Sequence, residues 1–257
     1  MTYRVIPTTD AEEAFDAAAQ AVADGEVIVL PTDTVYGVGA DATSGAAVQR
    51  LLDAKQRGRD FPPPVLVAEA AMVRALATGI DERLTGLAEA FWPGALTLVL
   101  NARDTLRMDL GDRGHTIAVR VPDHAFTREL LRRTGPLAVS SANVHGQDAA
   151  LTIEQATDQL GDSCSLYLDD GTMSGPVPST IVDLTGARAR ILRQGRISAE
   201  ELNAAVPGLV AVAEPEQEAA PAADLAQHPA PEDAPDAGPT QEDEPDADVR
   251  AGGATGD

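Results

Sequence analysis

Aromatic side chains make up only 3% of this 257-residue chain, so its core must be built from Ala, Val, Leu and Ile. There is one cysteine, Cys164. That excludes a disulfide framework or a cysteine zinc site within one chain, and the simplest reading of Cys164 is a small core residue. No run of about 20 apolar residues is present to span a membrane. The first residues, Met1-Thr2-Tyr3-Arg4, carry no apolar leader, so a cytoplasmic location is expected. A G-x-x-x-x-G-K-[ST] phosphate loop, a G-x-G-x-x-G turn, an H-E-x-x-H helix and a G-x-S-x-G elbow are all missing. The four histidines (His115, His124, His145, His228) lack metal-ligand spacing, and no protein-held metal is expected. Lysine is the scarcest cation of all, with Lys55 alone against 18 arginines.

The hydrophobic fraction, 44%, is that of a globular protein. A formal charge of -22 argues at first against nucleic-acid binding. The charge is uneven, however. Residues 211–257 hold 13 acidic residues and one basic residue, Arg250, which is -12 on under a fifth of the length. That segment is rich in Ala, Pro, Glu and Asp and has almost no large apolar residue. It cannot bury enough surface to offset its ordering entropy, and disorder is expected there. A folded domain is expected over 1–210.

Within that domain, Thr9-Asp10-Ala11-Glu12 reads as a capping box opening a helix to about Asp24. The apolar run 26–30 reads as a buried strand, followed by a loop over 31–39. Ser44 caps a second helix to about Lys55. A strand at 65–68, helices at 69–77 and 81–91, and strands at 96–100 and 116–121 follow. Asp123 is expected to cap a helix to about Arg133. A short strand at 137–140, a helix capped by Thr152 and Gln155, three strands at 166–168, 180–184 and 189–192, and a short helix capped by Ser198 and Glu201 complete the pattern. Interspersed helices and strands, with a hairpin near the end, give a single α/β domain with a mixed sheet.

Five segments could carry chemistry. Lys55-Gln56-Arg57-Gly58-Arg59 puts three cations in five residues at a helix end. Where arginine serves every generic need, a lone lysine suits a compact ammonium on phosphate oxygens; the competing reading is a cation facing the helix C-terminal dipole. PTDTVYGVG (31–39) follows a strand and offers hydroxyls and close backbone approach, or is a Gly-rich turn. Ser140-Ser141-Ala142-Asn143 offers uncharged donors and acceptors. In Thr116-Ile117-Ala118-Val119-Arg120, alternation puts Thr116, Ala118 and Arg120 on one face, so Arg120 enters a cleft or meets a carboxylate. Pro178-Ser179-Thr180-Ile181-Val182-Asp183 precedes Arg190-Ile191-Leu192-Arg193-Gln194-Gly195.

The order and spacing of PTDTVYGVG, K-x-R, TIAVRVP, SSAN, PSTIVDL and ILRQG resemble the L-threonylcarbamoyladenylate synthase family, the YrdC-like proteins, over 5–196. The resemblance implies a twisted mixed β-sheet flanked by helices around a positively lined cavity. It implies condensation of L-threonine with bicarbonate and attack of the carbamate on ATP, releasing pyrophosphate. It puts Thr32, Thr34, Arg120 and Ser179 at the threonine site. Lys55, Arg57 and Arg59 would face the ATP phosphates, with Lys55 and Arg57 the catalytic pair. Thr116, Ser141, Asn143 and Arg193 would line the nucleotide side. Magnesium is implied as the companion of ATP, with no protein ligand identified. The product would pass to a downstream transferase that modifies an adenosine in transfer RNA. Direct RNA binding stays open.

Two departures stand out. The segment 58–64 is longer than the family's usual K-x-R-P loop and places prolines where a polar contact is usual, so nothing is carried over onto Phe61, Pro62, Pro63 or Pro64. Leu151-Thr152 stands where the family favours a small hydroxyl. The alternatives are a carbamoyl-transfer domain of the same fold and a non-catalytic RNA-binding module.

Overall fold

The structure, a computed structural model, describes residues 3–112 and 114–210. The expectation of disorder for 211–257 lies outside the described residues. The chain runs β1 (Arg4–Pro7), α1 (Ala11–Ala23), β2 (Ile28–Leu30), β3 (Gly37–Asp41), α2 (Gly45–Ala54), β4 (Val65–Leu66), α3 (Val73–Leu76) and β5 (Ala77–Thr78). It continues through α4 (Glu82–Phe91), β6 (Leu96–Ala102), β7 (Thr116–Arg120), α5 (Ala125–Thr134), β8 (Leu137–Ser141), α6 (Ile153–Leu160), β9 (Leu166–Asp169), β10 (Thr180–Asp183), β11 (Arg190–Arg193) and α7 (Ala199–Ala205). One mixed sheet has the order β1-β9-β2-β3-β8-β4-β7-β6-β10-β11, with β5 paired to β6. Parallel pairs (β1/β9, β2/β9, β4/β7, β6/β10) occur beside antiparallel ones, as the mixed pattern implied.

Strand alternation assigns two faces. On β2, Ile28 and Leu30 join one core cluster while Val29 joins the other. On β9, Leu166 and Leu168 face one way and Tyr167 the other. The first face is covered by α1 (Phe15, Ala18, Val22) and α5 (Leu130, Leu131). The second is covered by α2 (Val48, Leu51, Leu52), α4 (Leu84, Leu87), α6 (Ile153, Ala156) and α7 (Leu202). On the first face the helical cover stops at α5. The same face of β7, β6 and β10 carries Thr116, Ala118, Arg120, Thr97, Val99 and Ile181, and there it borders a cavity. The opposite face of those strands (Ile117, Val119, Leu96, Leu98, Leu100, Val182) is core.

Several local expectations need correcting. Residues 31–39 are not all loop, because Gly37 begins β3. Asp10, not Thr9, precedes α1, and its side chain makes no capping bond. The N-cap of α5 is His124 rather than Asp123: its ring accepts from Thr127 N. The helix expected at 69–77 is only a 3-10 turn and the single turn α3. Ser44, Thr152 and Ser198 do cap their helices; Ser198–Glu201 is a reciprocal box, whereas Gln155 Oε1 accepts from Leu151 N and leaves the expected Thr152–Gln155 box open. Among the described residues, no helix is long and apolar enough to cross a membrane.

Candidate active site

The cavity has a volume of about 950 Å³, at the upper end of what small-molecule sites enclose and enough for two ligands side by side. Nine of the eleven residues singled out in the sequence line it: Thr32, Thr34, Arg57, Thr116, Arg120, Ser141, Asn143, Ser179 and Arg193. Lys55 and Arg59 do not.

At one end, the turn after β2 packs its hydroxyls together. Thr32 Oγ1 lies 3.1 Å from Thr34 Oγ1 and donates to Val35 O at 2.6 Å, closing the turn on itself. Arg120, at the end of β7, reaches this turn. Its Nη1 donates to Thr34 Oγ1 at 3.3 Å, its Nη2 to Asp33 Oδ1 at 2.6 Å, and its Nε to Gly94 O at 2.9 Å. Both readings offered for Arg120 therefore hold, since it enters a cleft and also pairs with a carboxylate. Three of its five N–H donors have partners among the described residues, and burial lowers its pKa against the pull of Asp33. Arg196 fixes the backbone behind Asp33, donating to Asp33 O at 2.7 Å.

On the other wall, Arg193 of β11 reaches back to Ser179, whose carbonyl accepts at 2.9 Å and whose hydroxyl accepts at 3.2 Å. Thr97 of β6 completes the group, its hydroxyl 2.9 Å from that of Ser179. The pKa of Arg193 is lowered by burial and then by the charges of Arg120 and Arg57. Arg193 therefore feels both other guanidiniums across the cavity, and Asp33 pairs with Arg120. A site that holds like charges together is relieved by an anion.

The helix α2 explains how Lys55 and Arg57 part company. The helix ends in a Schellman motif: Gln56 N donates to Asp53 O and Arg57 N to Leu52 O, with Gln56 left-handed at φ 51°. That turn sends Arg57 toward the cavity, where Nη1 donates to Ser140 Oγ at 3.2 Å. Lys55, the C-cap, folds inward and is 1% exposed. Its Nζ donates to Ser141 O at 2.6 Å, to Asn143 O at 2.8 Å and to Asn143 Oδ1 at 3.2 Å. Arg59 turns outward to Asp109, Asp112 and Gln49, latching residues 58–62 to the loop between β6 and β7.

The sequence reading passed over that β6–β7 loop, which lines the cavity with Leu106, Met108 and Leu110. It also passed over Thr97 and Val99, hidden in a strand-like LTLVL run, and over Leu192 beside Arg193. Phe61 through Pro64, onto which no role was carried, also border the cavity. The alternation of β6 could have exposed Thr97, since within Leu96–Leu100 it is the one polar residue.

Together these features define a small-molecule site for anionic ligands: clustered guanidiniums, converging hydroxyls and an apolar loop at the end of a mixed sheet. The Sua5/YciO/YrdC family model, described as telomere recombination, matches residues 20–195, and the chain belongs to that family. A Mycobacterium tuberculosis protein provisionally named a threonylcarbamoyl-AMP synthase is 47% identical over 186 residues, covering 72% of this chain and 86% of its own length. The Bacillus subtilis threonylcarbamoyl-AMP synthase is 34% identical over 191 residues, 74% of this chain and 55% of its own. The structure of Pyrococcus abyssi Sua5 complexed with L-threonine superposes with a TM-score of 0.76 at 30% identity, covering 81% of this chain and 62% of that one.

Proposed function

We propose that this chain is an enzyme, a nucleotidyltransferase that forms threonylcarbamoyl-AMP and pyrophosphate from ATP, bicarbonate and L-threonine. The observation that carries the reading is the convergence of three guanidiniums, Arg57, Arg120 and Arg193, on one cavity with the Thr32, Thr34, Thr97 and Ser179 hydroxyls. The names of relatives at 34–47% identity support it.

In this scheme the threonine amine condenses with bicarbonate, and water leaves. A carbamate oxygen then attacks the α-phosphorus, the bond from that phosphorus to the bridging oxygen breaks, and pyrophosphate departs. Arg120, held by Asp33, binds the amino acid's carboxylate with its remaining donors. Arg57 and Arg193 hold phosphate oxygens where negative charge gathers, which is the main work in such a transfer. Thr116, Ser141 and Asn143 position the nucleotide. Alignment of two bound reactants supplies much of the rest.

Magnesium enters this scheme with ATP. Among the described residues, Asp104 is the one carboxylate lining the cavity, and no group of three His, Cys, Asp or Glu could hold an ion. This donor set suits a cation carried on the triphosphate and its waters, to which Asp104 could add one carboxylate. Bound there, the ion would neutralise phosphate charge. The product is an activated acyl group, to be consumed by a transferase acting on an adenosine of transfer RNA.

The test is pyrophosphate release with threonine, bicarbonate and ATP omitted in turn. Release is expected only when all three are present. Release with carbamoyl phosphate and ATP in place of threonine and bicarbonate would instead indicate a carbamoyl-adenylating domain of the same fold, and no release under any condition would remove the catalytic reading.

A further inference from the structure

We infer that Lys55 is a positioning residue that serves ATP from behind the cavity wall, pinning the Ser141–Asn143 turn and placing one uncompensated positive charge beneath it. This rests on the function proposed above. It departs from the expectation that Lys55 touches the phosphates itself.

Geometry carries the inference. An ammonium has three N–H donors and no acceptor. Ser141 O, Asn143 O and Asn143 Oδ1 are three acceptors within 3.2 Å, so no donor is left over for a ligand. Lys55 is buried and does not line the cavity, whereas Ser141 and Asn143 do. Its backbone is engaged on the same side, with Lys55 O accepting from His145 N at 2.8 Å. The turn is thus clamped by one residue through two carbonyls, a side-chain amide and a main-chain bond. Asn143 is held in turn by its own Nδ2, which donates to Val144 O and Gln147 O, each at 2.8 Å.

The charge is the less expected part. Burying a cation is costly unless a carboxylate pairs with it. Among the described residues, no carboxylate lies in ion-pair range of Lys55. The titratable groups that act on it are the Arg57 guanidinium and the Cys164 thiol. Burial pushes that thiol up to about 12, which keeps it neutral. Neutral oxygens therefore solvate the ammonium, and its charge remains available to act across the turn. A triphosphate in the cavity would be attracted by that charge at a distance, and a methionine or glutamine in place of Lys55 would supply none.

The consequence is a linkage between ATP binding and protonation. Burial, aided by Arg57, pushes Lys55 down to about 7 from its ordinary 10.5. Between those values the folded protein has given up a proton that the unfolded chain retains. In the empty protein this group therefore adds stability as pH rises from 7 toward 10.5. A bound polyanion favours the ammonium, so ATP binding takes up a proton in the same range, and affinity falls as pH rises above 7.

The experiment measures the dissociation constant of a non-hydrolysable ATP analogue from pH 6.5 to 9, by calorimetry in two buffers of different ionisation enthalpy. Thermal melting is run alongside. Wild type, Lys55→Met and Lys55→Gln are compared, glutamine keeping two donors without charge and serving if the methionine variant does not fold. Both variants should bind about tenfold or more weakly at pH 7, lose the proton uptake, and show a flatter pH profile than wild type, because the analogue's own ionisation is common to all three. A role confined to holding the fold would lower melting temperature and leave the pH profile unchanged, which would overturn the inference. So would wild-type affinity at every pH in either folded variant. If wild type itself binds no nucleotide, the functional reading fails; if only the variants match wild type, this inference alone fails.

Discussion

The hydroxyl of Thr97 sits 2.9 Å from that of Ser179, and Arg193 donates to the same Ser179 oxygen at 3.2 Å. With Arg193 supplying a proton to Ser179 Oγ, Ser179 and Thr97 together have a donor to offer a substrate hydroxyl. Valine, which lacks that hydroxyl, would leave these buried groups unpaired. Sites that read a hydroxyl by hydrogen bonds reject the analogue without one by about 10⁴–10⁵ in kcat/KM. Competitive turnover of threonine and valine measures this, and equal turnover would end the hydroxyl-reading proposal. Thr97→Val keeps the side-chain shape and removes one hydrogen bond, typically worth about 1 kcal/mol. It should raise KM for threonine about fivefold, leave KM for ATP within error, and shift melting little; an ATP effect as large would show that Thr97 supports the whole wall. The residue scale is also where sequence legibility is most uneven. Arg120 could be placed because a cation alternating with apolar residues in a β-rich run stands out, whereas Ser179 and Arg193 are placed through the family resemblance. Lys55 and Arg59 could not, because their direction depends on the left-handed turn at Gln56, which no residue-type preference announces.

Elements were legible where side chains alternate and obscure where glycine removes them. The strand β7 declared its two faces, and the structure keeps both. By contrast β3 contains Gly37 and Gly39, so the segment read as a loop, although it lies between β2 and β8 in the middle of the sheet. Those glycines have a packing reason. A Cβ at Gly37 would stand 2.7 Å from Val139 Cγ1, and one at Gly39 would stand 3.0 Å from Leu30 Cδ2. Val139 lies on β8, and Gly37 is the register partner of Ser141 on that strand. Gly37→Ala must therefore push β8 or twist Val139 from its rotamer. Overpacking of this kind costs about 1–3 kcal/mol. Because the displaced strand ends in Ser140 and Ser141, nucleotide affinity should fall along with melting temperature. The double variant Gly37→Ala/Val139→Ala removes the clashing methyl and should regain part of the lost affinity. If affinity stays low while melting recovers, the strand's displacement is not what damages the site.

On the scale of the whole molecule, the cavity's cations are set in an acidic protein. Residues 1–210 carry a formal charge of -10 and residues 211–257 carry -12. Such a surface repels long polyanions at low ionic strength while the enclosed guanidiniums still attract a small one that fits. The acidic segment is accordingly expected to bear on solubility and on unspecific RNA retention more than on turnover. Among the described residues the last anchor is at Val210: Asn203 Nδ2 donates to Val210 O at 3.0 Å and Val210 N donates to Asn203 Oδ1 at 3.1 Å, with Leu209 and Val210 both buried. Two truncations separate the roles. A chain ending at Val210 should melt within about 2 °C of the full one and keep its pyrophosphate release. Its retention on RNA should rise at low salt and fall away as salt is added. A chain ending at Val206 gives up the buried Leu209 and Val210, each worth up to about 1.5–3 kcal/mol, and should melt lower by about 4 °C or more. Should the Val210 truncation lose as much as the Val206 one, residues beyond 210 would be contributing burial that their composition does not suggest, and the boundary would have to move toward the C-terminus.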